Sequence, residues 1–288
     1  MSGTLFVVAT PIGNLEDLTF RALRTLKEVD VIAAEDTRRT SKLLAHYGVS
    51  RPLVSLHEHN EHREAPRLVQ RLQTGESIAL VTDAGTPGIS DPGSGLVRAA
   101  RQAGLPVVPV PGPSAVTAAL SVSGLALPSF VFLGFPPAGG AARQRWFDAL
   151  GDEPRVAVFF EAPHRITSTL SDARISCGKR PIIVNREITK LNEKLVIWNN
   201  EADHTMAEVP ERGEFVVIVG QNQDPDSGGV NAPDYERVMT SFCYLTEQLA
   251  IEPEMAISGL SLMFGVPRFR IASLIKKAAI AAKRSHEA

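Results

Sequence analysis

Short apolar runs along the chain alternate with segments whose apolar residues recur at helical spacing. Leu5–Ala9, Val29–Ala34, Ile78–Thr82 and Val107–Val110 read as buried strands. Thr19–Lys27, Ser41–His46, Ala65–Gln73 and Leu96–Ala103 read as the helices between them. This alternation predicts an α/β unit built on a parallel sheet with both faces covered. A second series follows, with strands at Phe130–Leu133, Val156–Phe160, Ile182–Asn185 and Phe215–Val219 and helices at Ala142–Leu150 and Arg165–Ala173. Polar turns near Asn199–Asp203 and Glu211–Gly213 separate strands there, which predicts a partly antiparallel sheet. Gly124 and Pro128 interrupt the pattern between the two series. The expected organisation is an N-terminal α/β domain over 1–121 and a second α/β domain over 122–222. A linker over 223–233, rich in Asn, Asp, Gly, Pro and Ser, leads to a helical region over 234–288 with amphipathic segments Tyr235–Leu249 and Ile271–Lys283.

The turns after these strands carry the polar residues. The longest, Thr82-Asp83-Ala84-Gly85-Thr86-Pro87-Gly88-Ile89-Ser90-Asp91-Pro92-Gly93-Ser94-Gly95, packs four glycines and two prolines into fourteen residues. Glycine lets backbone approach a ligand, and proline fixes φ near −65°. A loop of this length just past a parallel strand lies where open α/β sheets bind ligands. Three shorter turns leave other strands of the same domain: Ala9–Leu15, containing Pro11 and Gly13; Glu35-Asp36-Thr37-Arg38-Arg39-Thr40; and Pro109–Thr117. In the last, Ser114 stands at the expected helix start before Ala115. It either caps the helix or leaves an amide free for a ligand carboxylate. In the second domain, Glu161-Ala162-Pro163-His164-Arg165 and Arg186-Glu187-Ile188-Thr189-Lys190 follow strands in the same way. Polar turns at strand ends in both domains imply a cleft between them.

Several familiar sites are absent. The sequence has no G-x-G-x-x-G, no G-x-x-x-x-G-K-[ST] and no Gly-x-Ser-x-Gly, so a Rossmann dinucleotide site, a P-loop and a nucleophile elbow are all unsupported. His57-Glu58-His59-Asn60-Glu61-His62 is not H-E-x-x-H, and its spacing fits no helical face, so it reads as a substrate-facing polar loop or a solvated one and not as a metal site. No metal is expected.

Composition changes this picture little. The net charge of −2 predicts no general attraction to nucleic acid, although six Lys/Arg against one Glu from Arg268 onward form a local basic segment. That segment is either an RNA-contacting patch or a solubilising tail. Two distant cysteines, no signal-peptide pattern and no apolar run of membrane-spanning length point to a cytoplasmic protein.

Taken together, Ala9–Leu15, Ala34–Thr40, Ser55–Glu61, Thr82–Gly93, Pro111–Leu125, Phe160–Arg165 and Arg186–Lys190 resemble the small-subunit ribosomal RNA methyltransferase I family. That family has the tetrapyrrole methylase-like, class III S-adenosylmethionine-dependent fold. The D-A-G-T-P-G-I-S-D-P block is the most specific element. The chain departs from the family pattern at Pro136-Pro137 and after Lys190, where Trp198-Asn199-Asn200 lacks the usual glycine.

The resemblance implies a homodimer that binds S-adenosylmethionine between its domains and methylates the ribose 2′-hydroxyl of a decoding-site cytidine in 16S rRNA. By that resemblance the methyl donor meets Pro11, Gly13, Asp83, Ala84, Gly85, Thr86, Gly88, Ile89, Ser114 and Ala115. Main chain near Ile182, Gly213 and Glu214 supplies adenine contacts. Asp36, Glu35, His57 and Glu161 are unranked candidates for the base or acceptor, and Arg38, Arg39, Arg165 and Lys190 for phosphate contacts. Two other readings stay open: a small-molecule methylase acting on a tetrapyrrole-like ring, and a non-catalytic RNA- or nucleotide-binding module.

Overall fold

The computed structural model describes residues 2–198, 209–221, 235–264, 271–272 and 275. It divides into two compact units, Met1–Val122 with Glu187–Lys194, and Ser123–Arg186 with Leu195–Ala288. The eight residues Glu187–Lys194, expected within a continuous second domain, thus pack with the first unit as a strap.

The first unit has strands β1 (Leu5–Val8), β2 (Val31–Ala34), β3 (Leu53–Ser55), β4 (Ile78–Val81) and β5 (Val107–Val110). They lie in the order β3-β2-β4-β1-β5, and all pairs are parallel. Helices α1 (Phe20–Glu28), α2 (Thr37–His46), α3 (Glu61–Gln73), α4 (Ser94–Gln102) and α5 (Ala115–Ser121) connect or follow them. Strands β2 and β4 are buried at every position, as a central strand covered on both faces must be. Ala22 and Leu26 of α1 and Leu44 of α2 pack with Ile32, Ala34 and Val81 on one face. Leu68 and Leu72 of α3 and Leu96 and Ala100 of α4 pack with Leu5, Ala33 and Leu80 on the other. Each fully buried leucine contributes about 2 kcal/mol.

No expected strand covers β3, and the starts of α2 and α3 differ from the expected ones. Strand β3, three residues after Pro52, is too short to carry a periodic signal. Helix α2 starts at Thr37, four residues earlier than expected, because the Asp36 carboxylate accepts from the Arg38 amide and caps it.

The second unit has β6 (Phe130–Phe132), β7 (Val156–Glu161), β8 (Ile182–Arg186), β9 (Lys194–Trp198) and β10 (Phe215–Val219) in the order β6-β7-β10-β8-β9. Strand β10 runs antiparallel to both β7 and β8, while β6 and β7 are parallel, which matches the expected mixed sheet. Helices α6 (Gly140–Asp152) and α7 (Ile166–Cys177) cover it through Phe147, Leu150, Ile166 and Leu170. Farther on, α8 (Tyr235–Cys243) runs into a π-helical turn, Tyr244–Gln248, and α9 (Pro253–Phe264) follows. Val238, Leu260 and Ile271 form a small core there. Helix α9 carries apolar residues nearly all round, so no amphipathic stripe marked it in the sequence. The linker 223–233 and most of the basic segment after Arg268 lie outside the described residues. Among the described residues, no helix is long and apolar enough to cross a membrane.

Candidate active site

The parallel register sets Val8, Ala34, Ser55, Val81 and Val110 at one edge of the first sheet, so the next residues of all five strands emerge together. Helix α4, after β4, covers one face of the sheet. Helices α1 and α2, after the two strands flanking β4, cover the other. The loop after β4 therefore diverges from both neighbours, which opens the crevice that open α/β sheets use for ligands.

The Asp83–Gly93 loop is tied down on the β1 side. Thr10 and Gly85 exchange two backbone hydrogen bonds, at 2.9 and 3.0 Å, and the Thr10 hydroxyl donates to the Thr82 carbonyl at 3.1 Å. Gly85 has φ +79° and Gly88 φ +81°, in the left-handed region that a β-branched side chain avoids. The Thr86 hydroxyl donates to the Pro113 carbonyl at 3.4 Å, so the β1, β4 and β5 loops are linked. Ile89 is half exposed. Ser114 occupies the N-cap of α5, but its side chain makes no capping hydrogen bond.

On the β2 side, two carboxylates cross between loops. Glu35 accepts from the Asp83 amide at 3.2 Å, and Asp83 accepts from the Asp36 amide at 3.1 Å. Arg39 pairs with Asp83 at 3.2 Å, and Arg38 grips Asp36 through two nitrogens. The Arg38 hydrogen bonds hold the Asp36 carboxyl far below the usual carboxylate range. Arg38 and Arg39, both expected at phosphates, thus have carboxylate partners.

Asp91, at the far side of the same loop, is the functional candidate that sequence reasoning missed. Burial, reinforced by the charges of Glu35 and Asp83, pushes its carboxyl up to about 7, against a smaller opposing hydrogen bond from Thr82. Nothing local in D-P-G-S marks this, since the burial and the Glu35 charge come only with folding. At the end of β3, the His57 amide donates to Asn60 Oδ1 at 2.8 Å, and its buried Nδ1 has no hydrogen-bond partner among the described residues. The expected polar loop 57–62 is only partly a loop. Glu61 and His62 begin α3, and Glu61 accepts from the Leu96 amide at 3.0 Å. Among the described residues, no His, Cys, Asp and Glu side chains gather in a metal-holding group.

Pro11 is buried, and Gly13 has a contact of its own. A Cβ there would lie 2.4 Å from Lys190 Cγ and 2.8 Å from Thr189 Oγ1, so only glycine admits the strap. Glu187 and Thr189 take left-handed φ of +54° and +66°, and Lys190 Nζ bonds Glu187 at 2.9 Å.

In the second unit, Glu161 is fully buried. It pairs with Arg165 at 2.6 Å and accepts from the Ala162 amide and the Thr169 hydroxyl. Arg165 also donates to the Pro136 carbonyl at 3.2 Å, and its buried Nε has no hydrogen-bond partner among the described residues. Ile182 is not brought to Gly213 and Glu214. The register pairs it with Val219, whereas Phe215 pairs with Arg186 at the opposite end of the strands. The two groups are separated by about 13 Å of strand, and the Ile182 side chain lies in the core.

Comparison with known proteins fits this geometry. Residues 4–203 match the tetrapyrrole (corrin/porphyrin) methylases. The small-subunit ribosomal RNA methyltransferase I of Xylella fastidiosa is 52% identical over 79% of this chain and 85% of its own. The Haemophilus influenzae protein of that name is 41% identical over 89% and 91%. Among solved structures, the methyltransferase CobJ superposes with a TM-score of 0.58 at 20% identity, covering 78% of this chain and 98% of that one. Uroporphyrin-III-C-methyltransferase from Thermus thermophilus gives 0.51 at 23% identity, with 76% and 94% covered. With a family match over most of its length and relatives this similar, the chain belongs to the tetrapyrrole methylase family and, within it, to the small-subunit ribosomal RNA methyltransferase I group.

Proposed function

We propose that the protein is an S-adenosylmethionine-dependent methyltransferase of small-subunit ribosomal RNA, acting on the 2′-hydroxyl of a cytidine at the decoding site. The observation that carries the reading is the Asp83–Gly93 loop, held against Thr10 in the crevice beside β4. Three left-handed glycines there keep side chains away from the peptide groups, and the carboxylates of Glu35, Asp83 and Asp91 suit a ligand that carries an ammonium and a sulfonium. Names of the relatives supply the substrate class.

S-adenosylmethionine supplies a methyl group already activated on sulfur. The protein's task is then to align the accepting hydroxyl and take its proton. Asp91, with a pKa near 7, and His57 Nδ1, which has no hydrogen-bond partner among the described residues, are the groups suited to hold that proton. Glu161 serves in this reading as the anchor of Arg165, since it is buried and already paired. Asp83 orients the donor, and its amide is in turn oriented by Glu35.

The working protein in this proposal is a homodimer in the cytoplasm that needs no metal. Calorimetric titration with S-adenosylmethionine should give micromolar affinity that survives EDTA. Methylation of purified small subunits, followed by mapping of 2′-O-methyl groups, should yield one new modified cytidine. Absence of methyl transfer to RNA, with turnover of a porphyrin-like ring, would move the protein to the small-molecule branch of its family. Light scattering at micromolar concentration should give about twice the chain mass of 31.0 kDa.

A further inference from the structure

Helix α2 presents Arg38, Lys42 and His46 at four-residue spacing, and all three are exposed. The Asp36 cap at its start lies against Asp83, and His46 in its last turn opens onto a second feature. An open cavity of about 680 Å³ is lined by Asn14, Glu16, His46, Thr189, Lys190 and Leu191, with Gly13 and Leu15 completing the wall. Its shape is built in. The Tyr47 hydroxyl donates to the Leu15 carbonyl, joining the end of α2 to the β1 loop. The strap meets Gly13 where no Cβ fits. Thr189, at φ +66°, buries a hydroxyl with no hydrogen-bond partner among the described residues.

The lining combines two chemistries. Leu191 is fully exposed and Leu15 more than a third exposed, giving apolar surface on which a flat ring can lie. Asn14 and Glu16 offer donors and an acceptor for a ring edge, His46 adds an exposed imidazole, and Lys190 stands beside them paired with Glu187. Lys42 makes no ion pair among the described residues, unlike Arg38 and Arg39. The volume falls within the range of about 300–1,000 Å³ common to small-ligand sites. An unstacked base with its phosphate matches this set, and single-stranded RNA is recognised in this way.

We infer that this cavity is a second RNA subsite, which takes a splayed-out nucleotide near the methylated one while Lys42 and His46 follow the intervening phosphates. The inference rests on the RNA-methyltransferase reading and adds to it a place for the flanking strand. Ten helical residues separate the catalytic edge from the cavity by about 15 Å, a span of a few nucleotides.

The test uses the full-length protein and small ribosomal subunits. The double variant Lys42→Glu, His46→Glu should raise KM for subunits at least tenfold and flatten its salt dependence. Its Kd for S-adenosylmethionine should stay within twofold of the parent. Leu191→Asp, at a side chain without burial to lose, should raise KM at least threefold while thermal stability holds. Subunit RNA carrying 4-thiouridine beside the methylated position should crosslink to peptides containing His46 or Leu191. Unchanged KM in both variants, or crosslinks confined to other peptides, would overturn the subsite while leaving the methyltransferase standing. Failure of the parent protein to methylate RNA would instead remove the reading beneath it.

Discussion

Glu35 and Glu161 occupy similar places, each at or just past the end of a strand with an arginine a few residues on, yet their surroundings differ. Glu161 is sealed, with a guanidinium, an amide and a hydroxyl filling its oxygens. The carboxylates around Glu35 remain partly open, and Asp83 and Asp91 crowd the same loop. One cluster holds its own part of the fold together. The other keeps negative charge poised beside a crevice, at a cost in stability. Strand-end acids are therefore sorted into structural and functional roles by the partners tertiary packing brings to them, and residue type does not separate them.

The largest expected effect breaks the sealed pair. Arg165→Met leaves the Glu161 carboxylate buried and unpaired, which should cost about 3–5 kcal/mol in chemical denaturation. A loss below 1 kcal/mol would show that the pair is not sealed. At the open site, Gly85→Val forces a β-branched residue to φ +79° and disturbs the pairing with Thr10. Affinity for S-adenosylmethionine should fall about a hundredfold, near 2.7 kcal/mol, and unaltered binding would place the donor elsewhere.

A smaller effect depends on pH. Asp91 has its carboxyl raised from 3.8 to about 7 in the folded chain. Between those values the folded state holds a proton that the unfolded state has lost, so stability declines as pH rises through that window and levels off above it. Asp91→Asn should remove the decline, making the variant relatively more stable at pH 8 than at pH 5. A pH-independent difference between the two proteins would contradict the raised pKa. Smallest of all, Arg38→Ala removes an exposed pair and should change stability by under about 1 kcal/mol, while weakening subunit binding and its salt dependence.

Much of this was legible in the linear chain because its causes are local. Apolar runs and helical spacing located most strands and helices of both sheets, though not the edge strands β3 and β9, and the turn residues between them marked the loops. The glycines of the Thr82–Gly95 stretch announced a backbone that must bend where side chains cannot follow. Tertiary structure alone decided what those loops do to one another. Thr10 meets Gly85, Asp83 meets Glu35, and the strap from beyond β8 lands on Gly13 across more than 170 residues. It also took Ile182 away from Gly213 and Glu214, because antiparallel pairing sends neighbouring strand ends in opposite directions. Period and turn chemistry are properties of a few adjacent residues, whereas burial, register and the pKa of Asp91 belong to neighbours that only folding supplies.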